Sequence, residues 1–233
     1  MKQLKYEQVG VAITCRGFDE YVHMFGLEED DLGAGPLLDI AAGGASFTAE
    51  ACARGYEAHA VDPRYAGDVE SWIEQSAEEI EVSTNKLIAL QEAFDWSYYK
   101  DAANHRAGRE RSLELFASHL RSVDGQARYR FGQLPELPFE QGTFSLVLCS
   151  HFLFLYAEQF DFNFHKQAVL EMMRLCKPGG QVRIYPLLSL SWNAYPHMDE
   201  LLKAVAERGG QAELMPAKLP FIPGSDLFLK IRV

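Results

Sequence analysis

Residues 36–62, PLLDIAAGGASFTAEACARGYEAHAVD, constrain the fold more than any other part of this 233-residue chain. A short apolar run, Leu37-Leu38-Asp39-Ile40, ends at five small residues, Ala41, Ala42, Gly43, Gly44 and Ala45. A helical pattern follows, with Phe47, Ala51 and Cys52 on one side and a stop at Arg54-Gly55. A second apolar run, 58–61, closes on Asp62. Strand, tight turn, helix and strand in this order make a βαβ unit, whose crossover is right-handed in nearly every case. Small residues let the turn approach a ligand, and Gly43 and Gly44 can take a positive φ where a Cβ would clash. Ser46 is positioned as a helix N-cap. An acid at the end of the second strand stands where α/β folds bind a ribose diol, so Asp62 is the candidate ribose ligand. Asp39 is a carboxylate inside an apolar strand, costly there unless paired or hydrogen-bonded. It can serve a ligand, tie down the glycine turn, or do both.

Leu38-Asp39-Ile40-Ala41-Ala42-Gly43-Gly44-Ala45 resembles the first motif of class I S-adenosylmethionine (SAM)-dependent methyltransferases, apolar-Asp-apolar-Gly-x-Gly-x-Gly. Ala41 and Ala45 replace the first and third glycines, and alanine is strained wherever φ must be positive. A nicotinamide fingerprint, G-x-G-x-x-G, fits less well. Three later strings resemble the same family in order: Gly132-Gln133-Leu134-Pro135-Glu136-Leu137-Pro138-Phe139, then Phe144-Ser145-Leu146-Val147, then Lys177-Pro178-Gly179-Gly180 before a further strand. The chain is also similar to an uncharacterised bacterial branch of that superfamily, which implies no particular acceptor.

The resemblance implies a three-layer α/β, Rossmann-like methyltransferase fold, with a seven-stranded, mostly parallel sheet and an antiparallel last strand. It implies SAM as cofactor and S-adenosylhomocysteine (SAH) as product. Asp39, Ala41, Ala42, Gly43 and Gly44 would hold its methionine end, Asp62 and Pro63 the ribose, and Gln133 with Leu134 the adenine. Ser150 and His151 would lie where cofactor and acceptor meet. His151 is the candidate general base, because histidine titrates near neutrality; the alternative is a packing histidine. The Asn/Asp-Pro-Pro-aromatic tetrapeptide of enzymes that methylate nucleobase or amide nitrogens is missing after residue 149.

Residues 63–126 are the departure from a minimal βαβ fold, far longer than the single helix a crossover needs. Helical patterns span 72–82, 85–94 and 105–121, the last with Leu113, Phe116 and Leu120 aligned. Between the second and third lies the aromatic cluster Trp96, Tyr98 and Tyr99. The segment reads as a helical insertion, either a lid over the sheet's C-terminal edge or an extra structural layer. Trp96, Tyr98, Tyr99, Tyr185, Trp192 and Tyr195 are the candidate walls of a substrate pocket. The basic stretch 105–111 can meet an anion or pair with neighbouring glutamates as a solvated face. The expected organisation is one domain over 1–233: a helical cap at 1–35, the insertion at 63–126, and a core of 36–62 and 127–233.

A net charge of -11 disfavours nonspecific nucleic-acid binding. Cys15, Cys52, Cys149 and Cys176 are scattered without metal-ligand spacing, so no metal is expected and a reduced, cytoplasmic setting is. The first ten residues lack the apolar stretch of a signal peptide, and the longest apolar run, 146–156, is too short to span a bilayer. The expected function is transfer of a methyl group from SAM to a small molecule by a monomer or homodimer. The alternatives are a SAM- or SAH-binding protein without transferase activity, and an RNA or protein methyltransferase docking through residues 106–111.

Overall fold

The structure is a computed structural model that describes residues 10–233. The signal-peptide reading therefore lies, Gly10 apart, outside the described residues. Seven strands form one sheet: β1 (Leu37–Ile40), β2 (Ala58–Asp62), β3 (Tyr129–Phe131), β4 (Phe144–Ser150), β5 (Cys176–Tyr185), β6 (Gln211–Pro216) and β7 (Leu227–Arg232), in the order β3-β2-β1-β4-β5-β7-β6. The pairs from β3 through β5 are parallel, and β7 runs antiparallel between β5 and β6. This is the seven-stranded α/β architecture expected, reversed last strand included.

The period of two along each strand sorts side chains onto two faces. Leu38, Ile40, Val147 and Cys149 pack with α7 (Phe162–Leu175) and α8 (Met198–Glu207) in one buried cluster. Leu37, Leu146 and Leu148 pack on the other face with α1 (Phe18–Phe25) and Phe47 of α3 (Phe47–Ala53). β1 and β4 are buried along their whole length, as central parallel strands covered on both faces should be. Asp39 shares its face with α1, and this brings Tyr21 to it.

The insertion is two long helices, α4 (Val69–Ala89) and α5 (Ala102–Arg121), which pack on each other and on β2 and β3 through Trp72, Ile80, Leu113 and Phe116. Asp68 and Asp101 cap their N-termini by accepting from Ser71 and Asn104. The expected break between helices 72–82 and 85–94 is absent. Ser83 and Thr84 turn their hydroxyls back onto the Ile80 carbonyl, so the polar pair that reads as a boundary is absorbed within one helix. Only a 3₁₀ turn, Gln91–Ala93, continues toward Phe94. The Pro178-Gly179-Gly180 turn is likewise an excursion inside β5, with Cys176 opposite Phe144 and Gln181 opposite Leu146. A short helix, α2 (Glu29–Gly33), precedes β1, and another, α6 (Val123–Gln126), precedes β3.

Candidate active site

β1, β2 and β4 all end at the same sheet edge, and the site is built there. The turn after β1 places Ala41 at φ 54° and Gly43 at φ 55°, both left-handed. Segment 13–16 lies across this turn. Gly44 N donates to the Thr14 carbonyl at 3.0 Å and Ser46 N to the Arg16 carbonyl at 3.0 Å. A Cβ on Gly44 would sit 2.8 Å from the Cys15 sulfur, so the second glycine is required by the chain's own packing and not only by a ligand. Ser46 occupies the N-cap position of α3, but its hydroxyl goes to Glu50.

Asp62, 2% exposed, accepts from Gly43 N at 3.1 Å through one oxygen and from Arg64 N at 2.9 Å through the other. A carboxylate offers about four acceptor directions, so Asp62 can still take both hydroxyls of a diol. Burial raises its pKa; the Arg64 backbone, the Arg64 guanidinium and the Gly43 N–H oppose that rise. Asp39 is fully buried, with one oxygen accepting from the Tyr21 hydroxyl at 2.9 Å and the other, Oδ1, without a partner. Burial pushes its pKa well up, the Tyr21 hydroxyl opposes, and the charge of Asp62 adds to the rise. A donor or a cation above this turn would satisfy both the orphaned oxygen and the charge.

Two cavities open at this edge. The first, about 320 Å³, is floored by Ile40, Ala41, Gly43 and the Val61–Arg64 stretch. Gly132, Gln133, Leu134 and Leu137 line it on the β3 side, Val11, Ala12 and Thr14 on another, and His151, Phe152, Phe160 and Phe164 opposite. The second, about 120 Å³, lies between segment 12–16 and the insertion, whose Ile80, Ser83, Leu87, Phe94, His105 and Arg109 form its wall. Trp192, Tyr156 and Phe221 complete it, and Ala12, Thr14 and His151 are common to both cavities.

The structure brings Ala41, Gly43, Asp62, Pro63, Gln133, Leu134 and His151 together around the first cavity. Asp39, Ala42, Gly44 and Ser150 sit just beneath that surface: Ala42 is 1% exposed, and the Ser150 hydroxyl bonds His151 Nδ1 at 2.9 Å. Of the six aromatic residues expected as a substrate wall, Trp192 lines the second cavity. Trp96 and Tyr99 stand behind it, edge-on to His105 and Phe221, and Tyr98 packs on His23. The Tyr185 hydroxyl is committed to the Leu219 carbonyl and Ser225, and Tyr195 packs tilted against Phe154 and His165 beside a different cavity. Sequence reasoning missed segment 11–16, which has no periodicity, and took His105 and Arg109 only as part of a basic stretch, without their burial. That pair does carry a signal, because it falls at i and i+4 in register with Leu113 and Phe116 on the buried face of α5.

His151 takes φ 52°, with its ring edge-on to Tyr185 at 5.3 Å. Burial, reinforced by the positive charges of Arg16 and Arg109, holds its pKa well below the usual histidine range. The imidazole is therefore neutral near pH 7 and a weak base. In the basic stretch, Arg106 pairs with Glu110 on the surface while Arg109 is buried against Glu20. Cys52, His119 and Asp124 bring one ligand atom each within 4.8 Å of one another, a juxtaposition that sequence spacing does not show. Their own contacts already include Tyr129 on His119 and Arg128 on Asp124.

Residues 109–184 match the sequence model of a family described as "Methyltransferase domain". An uncharacterized protein of Methanocaldococcus jannaschii is 29% identical over 218 residues, covering 93% of this chain and 94% of the relative. It is archaeal and brings no support for a bacterial branch. Similar solved structures include a TehB-like SAM-dependent methyltransferase from Corynebacterium glutamicum, 14% identical, with a TM-score of 0.45 over 85% of this chain and 79% of that one. Another is the glycopeptide N-methyltransferase MtfA complexed with SAM, 12% identical, with a TM-score of 0.47 over 86% of this chain and 81% of that one.

The left-handed Ala41 gives a stability prediction. An L-residue there costs about 1–2 kcal/mol, while glycine costs roughly 0.4–1 kcal/mol through the unfolded chain. Ala41→Gly should therefore stabilise the protein by about 0.5 kcal/mol, read as a small rise in thermal midpoint. A clear fall would show that the Ala41 methyl contributes more by packing on the Leu38–Ile40 cluster than its φ costs.

Proposed function

We propose that this chain transfers a methyl group from SAM to a small-molecule acceptor. The observation that carries the proposal is the Asp62 carboxylate, pinned by Gly43 N and Arg64 N on the floor of one cavity that shares His151 with a second. The matched methyltransferase-domain model supports the reaction class. The residues present fit the cofactor. Asp62 keeps acceptor capacity for a ribose diol, and Gln133 and Leu134 offer an amide and an apolar edge for adenine. The orphaned Asp39 oxygen suits the positive charge of a methionine end. Bound there, SAM would supply an electrophilic methyl group, and the protein's part is to position the acceptor and exclude water.

A small acceptor is favoured by the basic stretch itself. Arg109 is consumed inside the protein and Arg106 pairs with Glu110, which leaves Arg111 as the exposed cation of that stretch to dock RNA or another protein. His151 forms the wall between the cavities with Ala12 and Thr14, and its weak basicity suits it to orienting an acceptor more than to holding a proton. Incubation with labelled SAM and a panel of small acceptors should give methylated product and SAH. The pH–rate profile should lack an acidic limb near 6.5, because His151 stays neutral through that range. Such a limb, abolished by His151→Ala, would make His151 the base instead. SAH binding without product from any acceptor would favour a cofactor-binding protein without transferase activity, the reading that the strained Ala41 motivates.

A further inference from the structure

The second cavity carries two buried donors without acceptors. Arg109 Nη2 lies 3.1 Å from His105 Nε2. A guanidinium has only N–H groups, so Nε2 must accept, and the single ring proton of His105 is on Nδ1. That Nδ1 is buried and has no hydrogen-bond partner. The ring cannot turn to find one, because it is stacked on Phe221 at 5.3 Å and held edge-on by Tyr99 and Trp96. Burial and the charges of Arg109 and Arg16 push the His105 pKa far down, in agreement with a neutral ring. Arg16 Nη1 donates to Glu20 and to the Tyr99 hydroxyl, but Arg16 Nε is buried and unpartnered. His105 is 4% exposed and Arg16 8%, and both line the same cavity.

An unmade buried hydrogen bond costs about 1–3 kcal/mol, and more for a charged group. Both residues line one cavity, where an oxygen ligand would give such donors an acceptor. Phe94, Trp192, Phe221, Ile80 and Leu87 give the cavity an apolar side, and Ser83 and Tyr156 add hydroxyls. A cavity of about 150 Å³ accommodates benzene, so the roughly 120 Å³ here suits a short branched chain better than a ring. Glu79 also lines the cavity and is engaged with Ile13 N, so the selectivity rests on the two donors and not on an excess of positive charge.

Resting on the methyltransferase reading, we infer that the methyl acceptor is a small carboxylic acid, anchored through its carboxylate by His105 Nδ1–H and Arg16 Nε–H with its apolar body between Phe94, Trp192 and Phe221. The wall common to both cavities is Ala12, Thr14 and His151. His105 and Arg16 lie outside that wall, so the carboxylate is the anchor and a different atom receives the methyl group.

The test is calorimetric titration of the full chain with benzoate and isovalerate against benzamide and isovaleramide, each with and without saturating SAH. At least one acid should bind ten-fold or more tighter than its amide. His105→Phe, which keeps the ring packing but removes the donor, should weaken that acid ten-fold or more while leaving SAH affinity within two-fold. A thermal midpoint near that of the wild type would show the variant to be folded; if it is not, Arg16→Lys, which keeps a cation for Glu20 but removes the Nε donor, should weaken the acid and not its amide. Acid and amide binding equally, no acid binding under either condition, or undiminished acid binding by His105→Phe would overturn the inference. Acid binding in a folded protein that does not bind SAH would leave the anchor standing and remove the methyltransferase reading.

Discussion

Asp62→Ala should weaken SAH binding by about 10- to 100-fold in a calorimetric titration, while the protein stays folded. Hydrogen bonds to a charged group contribute about 1.5–3 kcal/mol, and every 1.4 kcal/mol is about a factor of ten in Kd. The substitution removes the acceptor for a diol and also releases Gly43 N and Arg64 N, which loosens the turn that the cofactor must meet. Asp62→Asn keeps one acceptor oxygen and should fall between wild type and alanine. Affinity should also drop as pH falls through the Asp62 pKa, which burial raises, because the protonated carboxyl accepts less well. The same shift has the opposite sign for folding. A raised carboxyl pKa means that the ionised form is held less well in the fold than in the unfolded chain, so this contribution is lost as pH rises through the folded value. Asp62 is therefore a group that a ligand relieves. An Asp62→Ala variant with wild-type affinity for SAH would remove the ribose assignment.

The βαβ core was legible because its signals are local. Apolar runs alternate faces, small residues mark the turn, and Asp62 ends β2 in register with Phe131 of β3. The mostly parallel seven-stranded sheet and the reversal of β7 came from the family resemblance. What stayed hidden depends on contacts between distant segments. The Ser83–Thr84 pair reads as a helix boundary, and only the backbone shows both hydroxyls turned onto Ile80. Trp96, Tyr98 and Tyr99 read as a substrate wall because aromatics cluster there. In the structure Phe94 and His105 line the cavity, with Trp96 and Tyr99 packed behind them. Segment 11–16 touches both cavities, yet it has no pattern that marks it. Arg109 read as part of a basic surface, although its partner Glu20 lies 89 residues away and reads as an ordinary first-turn acid.

That partnership gives the largest expected effect on stability. Glu20 is 7% exposed and is the shared acceptor of a buried network. It receives Arg109 at 2.8 and 2.9 Å, Arg16 at 3.2 Å, the Tyr99 hydroxyl, and Gly17 N at 2.8 Å. Glu20→Gln keeps the shape but leaves two buried guanidiniums without a counter-charge. Breaking a buried ion pair from one side costs about 3–5 kcal/mol. For a chain of this length each kcal/mol lowers the midpoint by about 2–4 °C, so thermal denaturation should show a fall of roughly 6–20 °C. The pH dependence separates charge from packing. Burial alone would raise the Glu20 pKa; Arg109 and Arg16, with the Tyr99 hydroxyl and Gly17 N–H, outweigh it and hold the pKa below the usual glutamate value. A depressed carboxyl pKa contributes stability that is present above the unfolded value and is lost as pH falls through the folded one. The wild-type midpoint should therefore decline below about pH 4.3 more steeply than that of Glu20→Gln, and the two should converge in acid. A constant offset at every pH would mean that Glu20 contributes as a hydrogen-bond acceptor, which glutamine halves, and not through its charge.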